Sequence, residues 1–331
     1  MNKIFIIRLF FMITILLIIY KNYKYNLLLD KFDNIEIVSL DKFNEIFNIN
    51  ISDIPEYNIL IGVNNNKMYQ HIINKSGNYF YVDPIVNYFM INVHPFINKS
   101  KYYYMLNYED GYDETLHSFN GNNIKILTFA SYYKNNSNII PIVDPHYIEN
   151  FGYSENINII NNNYVNWNNK INKCVWRGVL TNGTDHCFFV KKEGLSPRYY
   201  FVNLYNKSKF TNVDYKPDYL SIENQIKYKY ILDIDGWVCT WSATIWKLYS
   251  GSVLLKQKSV WKQWYYDELI EYVHYVPVAN DFSDLNEQIQ WCINNDDKCK
   301  EITENSRKFV LEKLNWEKAK ANMIDTFNNI L

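Results

Sequence analysis

The stretch that decides the fold reads KYKYILDIDG at 227–236, WVCTWSATIWKLYSGSVLLK at 237–256 and HYVPV at 274–278. Its pattern is that of a short aliphatic strand, a loop opening a helix, a glycine stop and a second strand. This succession predicts a βαβ unit, and the loop after its first strand is where such units bind ligands. Gly236 allows a sharp turn there, or a close approach of the backbone to a ligand.

The residues after this loop predict the start of an anion-binding helix. Thr240 and Ser242 can cap the helix, whose free N–H groups and positive dipole end favour a phosphate. Further out, helices are predicted at 240–250, 284–294 and 297–314. Because they alternate with strands from Cys174 onward, we expect a parallel sheet with helices on both faces.

The rest of the chain divides around this unit. Buried strands are predicted at 59–63 and 124–129, between turns rich in Asn and Gly. The predicted segments are a signal anchor at 1–23, a stem at 24–56, a first half at 57–150, a second half at 151–315 and a helix at 316–331 packing back on the first half.

Composition narrows the classes of partner. The net charge is −1 and the basic residues are scattered, so nucleic acid is not an expected ligand. Aromatic residues make up 18% of the chain and can stack on flat ligands. The cysteines and histidines show no zinc-binding spacing.

The N-terminus predicts an uncleaved membrane anchor. Residues 4–20 are apolar except for Arg8, and no small-residue cleavage site follows. Lysines flank both ends of this segment, so the positive-inside rule leaves the orientation open.

Several ordered motifs carry a family resemblance. KYKY, DG, SGSVLLK, HYVPV and DFSDL follow one another, with Trp176-Arg177-Gly178 and Ser196-Pro197-Arg198 upstream. This series resembles the CAP10 family (glycosyltransferase family 90), which includes protein O-glucosyltransferases and capsule xylosyltransferases. The resemblance implies an α/β fold of GT-B type, with two Rossmann-like halves around a cleft. The half at 57–150 would be on the acceptor side, and the half at 151–315 would bind the nucleotide sugar. It also implies a UDP-sugar donor, a protein or glycan acceptor, no obligatory metal, and an ER or Golgi lumenal location.

Three cations are candidates for holding the donor diphosphate. Arg177 follows a buried strand and can bind a phosphate bidentately; the alternative is a salt bridge between the halves. Arg198 begins an aromatic helix and would face the same cleft, unless it is a solvated arginine. Many family members have an arginine in an S-x-R pattern after DG. This chain lacks it, and Lys247 is the proposed replacement.

The donor site is completed by the loop and its neighbours. Gly236 and Ser242 would seat the diphosphate, Trp241 could stack on uracil or sugar unless it is core, and Asp214 would contact the donor. Asp235 would be a loop former or polar ligand contact. The Asp233-Ile234-Asp235 sequence also matches a metal-binding D-x-D motif.

For the general base, the family uses an aspartate in the first half. Asp110 precedes Gly111 at a strand end and is the candidate, with Asp113 next; the alternative is an acidic surface turn.

The sequence thus predicts an inverting glycosyltransferase that moves glucose or xylose from a UDP-sugar to a hydroxyl group. Because the S-x-R arginine is missing, a catalytically silent scaffold that binds glycans or proteins is the alternative.

Overall fold

The computed structural model describes residues 35–73, 82–109, 111, 124–132, 138–181, 196–207 and 212–331. Its strands are β1 (Ile35–Ile37), β2 (Asn58–Asn64), β3 (Lys67–Ile72), β4 (Lys101–Asn107), β5 (Ile126–Thr128), β6 (Ser131–Tyr132), β7 (Ile139–Pro141), β8 (Ile171–Arg177), β9 (Val213–Lys216), β10 (Tyr228–Asp233), β11 (Val253–Gln257), β12 (Trp261–Lys262) and β13 (Val276–Val278). Its α-helices are α1 (Leu40–Phe47), α2 (Val82–Asn92), α3 (Pro145–Glu149), α4 (Ser154–Asn162), α5 (Pro197–Lys207), α6 (Ile222–Gln225), α7 (Ser242–Tyr249), α8 (Leu285–Asn294), α9 (Asp296–Lys313) and α10 (Trp316–Ile330).

The first half contains a six-stranded sheet in the order β1-β3-β2-β4-β5-β7. β2 pairs antiparallel with both β3 and β4, whereas the remaining pairs are parallel. The two-residue turn between β2 and β3 is Asn65-Asn66, with φ of 49° and 65°. Asparagine tolerates this left-handed backbone, which suits a tight hairpin. The sheet is therefore mixed, and the prediction of a Rossmann-like first half is wrong in this respect.

The second half contains a five-stranded sheet in the order β13-β11-β10-β8-β9. All of its neighbouring strands are parallel. The central strands β10 and β11 are almost entirely buried, which is typical of a sheet covered by helices on both faces. The prediction of an α/β fold with a parallel sheet in this half is confirmed.

Most elements of the second half were predicted close to their true positions. The helices predicted at 240–250, 284–294 and 297–314 are α7, α8 and α9. α8 and α9 bury residues at a spacing of three to four, so one face of each is buried, whereas α7 buries every residue from Thr244 to Tyr249.

The last helix, α10, packs on the first half of the chain. The Trp316 ring stacks on Tyr147, with ring centroids 6.3 Å apart and planes 8° apart. Near its other end, Phe327 lies 5.1 Å from Phe89 and 5.4 Å from Tyr104, measured between ring centroids. A short antiparallel ribbon of β6 and β12 adds a second link between the two parts.

The predicted anchor, residues 1–23, lies outside the described residues. Within the part of the chain that the structure describes, no helix combines the length and apolarity needed to cross a membrane.

Candidate functional site

The strand order of the second sheet defines a crevice. Along the chain, β8 is followed by β9 on one side, and the chain then returns to β10 on the other side of β8. In parallel sheets, ligands bind at such a reversal, outside the carboxyl ends of the two strands between which it occurs. Here these ends carry Gly178-Val179 after β8 and Asp233 to Gly236 after β10.

Arg198, near the start of α5, spans this crevice. Its Nη1 donates a hydrogen bond to the Val179 carbonyl at 2.9 Å, and its Nε donates to the Ile234 carbonyl at 3.4 Å. A Cβ added to Gly236 would lie 3.3 Å from Arg198 Nη2. The glycine therefore lets the guanidinium lie directly against the loop, as the sequence-based assignment of both residues requires.

Asp233 and Lys247 form a buried ion pair behind the loop. Lys247 Nζ lies 2.6 Å from Asp233 Oδ1, and both side chains are under 7% exposed. The Thr240 and Thr244 hydroxyls also donate to this carboxylate, at 2.8–2.9 Å. Burial alone would raise the pKa of Asp233, but Lys247 and the other donors outweigh it and lower the pKa to about 2.

This pairing bears on two sequence-based assignments. The Lys247 ammonium is committed to Asp233, so the structure does not present it to a diphosphate in place of the missing arginine. The Thr240 hydroxyl donates to Asp233 instead of capping the helix. Both contacts join residues that are 7 to 14 positions apart, and the sequence pattern did not indicate them.

Asp235 lies at the base of the same loop and is 5% exposed. Its carboxylate accepts a hydrogen bond from Ser259, and its backbone N–H donates to Gln257 Oε1 at 3.1 Å. Burial raises the pKa of Asp235 to about 6, with Lys256, Ser259 and Arg198 offsetting only part of the effect. The carboxylate is thus poised to change charge near neutral pH.

Arg177 faces away from the loop, toward β9. Its Nη2 lies 2.8 Å from Asp214 Oδ1, and its Nε lies 3.1 Å from Asp218 Oδ1. Nη1 donates to the backbone carbonyls of Trp176 and Asp214, each at 2.8 Å. Tyr228 also donates to the Asp214 carboxylate. Arg177 and Asp214 therefore hold each other within the second half, and the structure does not bring them to Gly236.

Trp241 and Ser242 begin α7 beside the loop. Trp241 has φ 45° and ψ −117°, a strained conformation for any residue other than glycine. Its ring lies 5.3 Å from His146 and 6.2 Å from Phe129, both in the first half. Trp246 is 6% exposed and belongs to the core. The Ser242 hydroxyl forms no hydrogen bond with any described residue.

Asp110, the candidate general base, lies outside the described residues, as does Asp113. The neighbouring Gly111 is described, and it lies against the site. A Cβ at Gly111 would be 2.9 Å from Val238 Cγ1 and 2.8 Å from Trp261 Cζ3. Gly111 therefore lies against the loop after β10, and a side chain at this position would force its neighbours to shift.

Lys256 was not identified from the sequence. It lies opposite Asp233 in the pairing of β10 with β11 and is 5% exposed. In the run SGSVLLK it looked like the last residue of a strand. The sequence feature that could have identified it is a lysine at the end of an otherwise apolar strand, next to the predicted ligand loop.

Among the described residues, no group of three or more His, Cys, Asp or Glu is arranged to hold a metal ion.

Comparison with known proteins identifies the sequence relatives. The profile of glycosyl transferase family 90 matches residues 153–329, which is more than half of the chain. Uncharacterized protein 179R of Invertebrate iridescent virus 6 is 39% identical over 118 residues, which cover 34% of this chain and 10% of that protein. Protein O-glucosyltransferase 2 of Danio rerio is 32% identical over 148 residues, which cover 44% of this chain and 29% of that protein. The matches thus span less than a third of either relative.

Similarity to solved structures is weak. A glycosyltransferase from Rickettsia africae gives a TM-score of 0.36 at 11% identity, covering 62% of this chain and 63% of that one. HepE of Anabaena, in complex with UDP and glucose, gives a TM-score of 0.33 at 10% identity, covering 52% of this chain and 51% of that one.

Proposed function

Because this chain belongs to glycosyl transferase family 90, we propose that it transfers a sugar from a UDP-sugar to a hydroxyl group of a protein or glycan. The observation that carries the proposal is the position of Arg198. Its guanidinium joins the ends of β8 and β10 and lies against Gly236. A planar cation at the crevice of a parallel sheet suits a diphosphate.

The proposed reaction is a single displacement with inversion at the anomeric carbon. A bond forms between that carbon and the acceptor oxygen while the bond to the UDP β-phosphate oxygen breaks. The acceptor proton passes to the Asp110 carboxylate, and UDP leaves with the bonding electron pair. Arg198 and the start of α7, including Ser242, would stabilise the charge on the leaving diphosphate.

Asp110 is supported by the contact that its neighbour makes. Gly111, the residue after it, lies against Trp261 and Val238, and Val238 is two residues from Gly236 in the donor loop. Asp235 is proposed as a polar contact at the base of the donor loop, and Trp241 as a ring beside the donor at the border of the halves. No obligatory metal is part of the proposal.

The other predicted site residues take different places in this proposal. Arg177 and Asp214 hold the end of β8 in position, and Lys247 holds Asp233. In this proposal, Arg177, Asp214 and Lys247 stabilise the strand ends that form the crevice and do not contact the donor.

Glucose is the first proposed sugar and xylose the second. The name of the Danio rerio relative, protein O-glucosyltransferase 2, supports glucose and a protein acceptor. We also propose that residues 1–23 anchor the chain in the ER or Golgi membrane, with the remainder in the lumen. Protease protection in microsomes tests that location: digestion of the intact chain from the cytosolic side would contradict it.

An assay of UDP release tests the proposed activity. The full-length chain is incubated with UDP-glucose or UDP-xylose, with and without a secreted-protein acceptor mixture. We expect UDP release from one donor, accelerated by the acceptors, and its loss in Arg198→Met. Release that is equal in the wild type and in Arg198→Met would contradict the assignment of the site.

One observation favours the alternative of a silent scaffold. Because Lys247 is paired with Asp233, it does not replace the missing S-x-R arginine. A scaffold would retain acceptor binding but show no UDP release and no UDP affinity, so the same preparations distinguish the two functions.

A further inference from the structure

Lys256 is a buried cation that acts electrostatically on Asp233 and Asp235 but has no direct ion pair with a carboxylate among the described residues. Its ammonium lies 4.3 Å from the centroid of the Tyr266 ring, and the side chain is 5% exposed. By contrast, the neighbouring Lys247 is 2.6 Å from a carboxylate oxygen. Buried ammonium groups are ordinarily paired, because their desolvation is costly. The exception therefore calls for a physical reason.

The local balance of charge is positive. Among the described residues, Asp233, Asp235, Lys247, Lys256 and Arg198 are linked by electrostatic interactions, and this group contains three cations and two carboxylates. Asp233 is already occupied by Lys247 and two threonine hydroxyls. Asp235 accepts a hydrogen bond from Ser259. When both carboxylates are ionised, one positive charge remains unbalanced within this group of five described residues, and a bound anion would balance it.

Lys256 and Arg198 flank the loop from opposite sides. β11, which carries Lys256, pairs with one edge of β10, whereas β8, whose end Arg198 contacts, pairs with the other edge. Both cations act on the buried Asp235 carboxylate at the base of the loop. A group with two linked phosphates would match two cations placed in this way.

We propose that Lys256 is a second ligand of the donor diphosphate, acting together with Arg198 across the loop from Ile234 to Gly236. This inference rests on the proposed function, since it assumes that the anion is the diphosphate of a UDP-sugar. It provides a cation in place of the S-x-R arginine, from the following strand and not from α7.

A purely structural role predicts different behaviour. If Lys256 only neutralises Asp235 and packs on Tyr266, then its removal should destabilise the fold and affect all ligands alike. If Lys256 binds a phosphate of the donor, then Lys256→Met removes a buried positive charge that has no direct ion pair in the unliganded protein. In that case the melting temperature of the unliganded protein should stay the same or rise.

Calorimetric titration of the full-length chain with UDP and with uridine separates these roles. Three proteins are compared: wild type, Lys256→Met and the control Lys258→Met. Lys258 lies two residues away, is 57% exposed and pairs with Glu271, so the control removes a nearby charge outside the site. A charge-assisted contact to phosphate corresponds to about a 10- to 100-fold change in affinity.

We expect Lys256→Met to weaken UDP binding by about 10- to 100-fold while leaving uridine binding and the melting temperature intact. Lys258→Met should match the wild type for both ligands. Wild-type UDP affinity in Lys256→Met would overturn the assignment of Lys256 and leave the proposed function standing. A lower melting temperature with equal losses for UDP and uridine would also overturn it. Absence of UDP binding by the wild type would overturn both proposals.

Discussion

Asp233 and Asp235 stand two positions apart and have opposite pKa shifts. Both are buried, but Asp233 receives an ammonium and two hydroxyls, and its pKa falls to about 2. Asp235 receives a hydroxyl from Ser259, and burial raises its pKa to about 6. The D-x-D pattern therefore does not describe two equivalent metal ligands here. It describes a permanently charged structural residue and a titratable one.

The raised pKa of Asp235 predicts a pH-dependent effect of Asp235→Asn. Because the folded state binds this proton more tightly than the unfolded state, ionisation of Asp235 lowers stability above about pH 6, and this cost fades as the pH falls toward about 4. We expect Asp235→Asn to raise the free energy of unfolding by about 1–3 kcal/mol at pH 8. Urea unfolding at pH 8 and pH 4 measures the difference, most of which should vanish at pH 4. A destabilised variant at pH 8 would show that the buried charge contributes to the fold.

We expect replacement of Arg177 to lower the stability of the fold without weakening the binding of UDP. Arg177→Met removes the donor to Asp218, to two backbone carbonyls and to Asp214 Oδ1, while Asp214 keeps its hydrogen bond from Tyr228. The expected cost is about 1–3 kcal/mol, toward the lower end because both carboxylates are partly exposed. UDP affinity should stay within about threefold of the wild type, since this difference is under 1 kcal/mol. Thermal unfolding measures the loss of stability, and calorimetry measures the UDP affinity. A large loss of UDP affinity in a stable variant would show that Arg177 contributes to the donor site.

At the scale of elements, local sequence predicted the second half well. Its helices α8 and α9 have regular apolar spacing, and the strand at Tyr230-Ile231-Leu232 is a short aliphatic run. Such patterns depend on neighbours along the chain. The mixed order of the first sheet was not predicted, because it depends on a hairpin at Asn65-Asn66 and on pairing between distant strands.

The candidate site was predictable in part for the same reason. Gly236 and Arg198 come from motifs that can be read locally, and the structure brings them together. The partners of Arg177 and Lys247 are 37 and 14 positions away, so their commitment to carboxylates became visible only in the fold. Lys256 was missed because its place beside the loop depends on the pairing of its strand with β10, which sets it opposite Asp233.

The turn at Gly111 yields a prediction about how the halves meet. Gly111→Ala places a methyl group within 3 Å of Val238 and Trp261, and 3.2 Å from the Ala130 carbonyl. We expect the turn to shift and UDP release to fall by about tenfold or more, because displacements near 1 Å can have effects of this size. The double variant Gly111→Ala/Val238→Ala removes one of the clashes and should recover part of the rate. An unchanged rate of UDP release in Gly111→Ala would show that the close packing at Gly111 is not needed for the reaction.

At the scale of the whole molecule, α10 connects the end of the chain to the first half. Phe327 is fully buried among Phe89, His94 and Tyr104. Phe327→Ala should lower the free energy of unfolding by about 3–5 kcal/mol, the usual cost of removing a buried phenyl ring. The exposed Asn329→Ala on the same helix is the matched control. Urea denaturation measures both variants, and a cost below about 1 kcal/mol for Phe327→Ala would mean that α10 packs only loosely.

We propose that the crevice between β8 and β10 binds the donor nucleotide through Arg198. Calorimetric titration of the full-length chain with UDP in EDTA tests it most directly, with Arg198→Met alongside. We expect a dissociation constant on the order of micromolar for the wild type, and affinity weaker by about 10- to 100-fold in the variant. Equal affinity in the two proteins, or wild-type binding that requires added Mn²⁺, would contradict it.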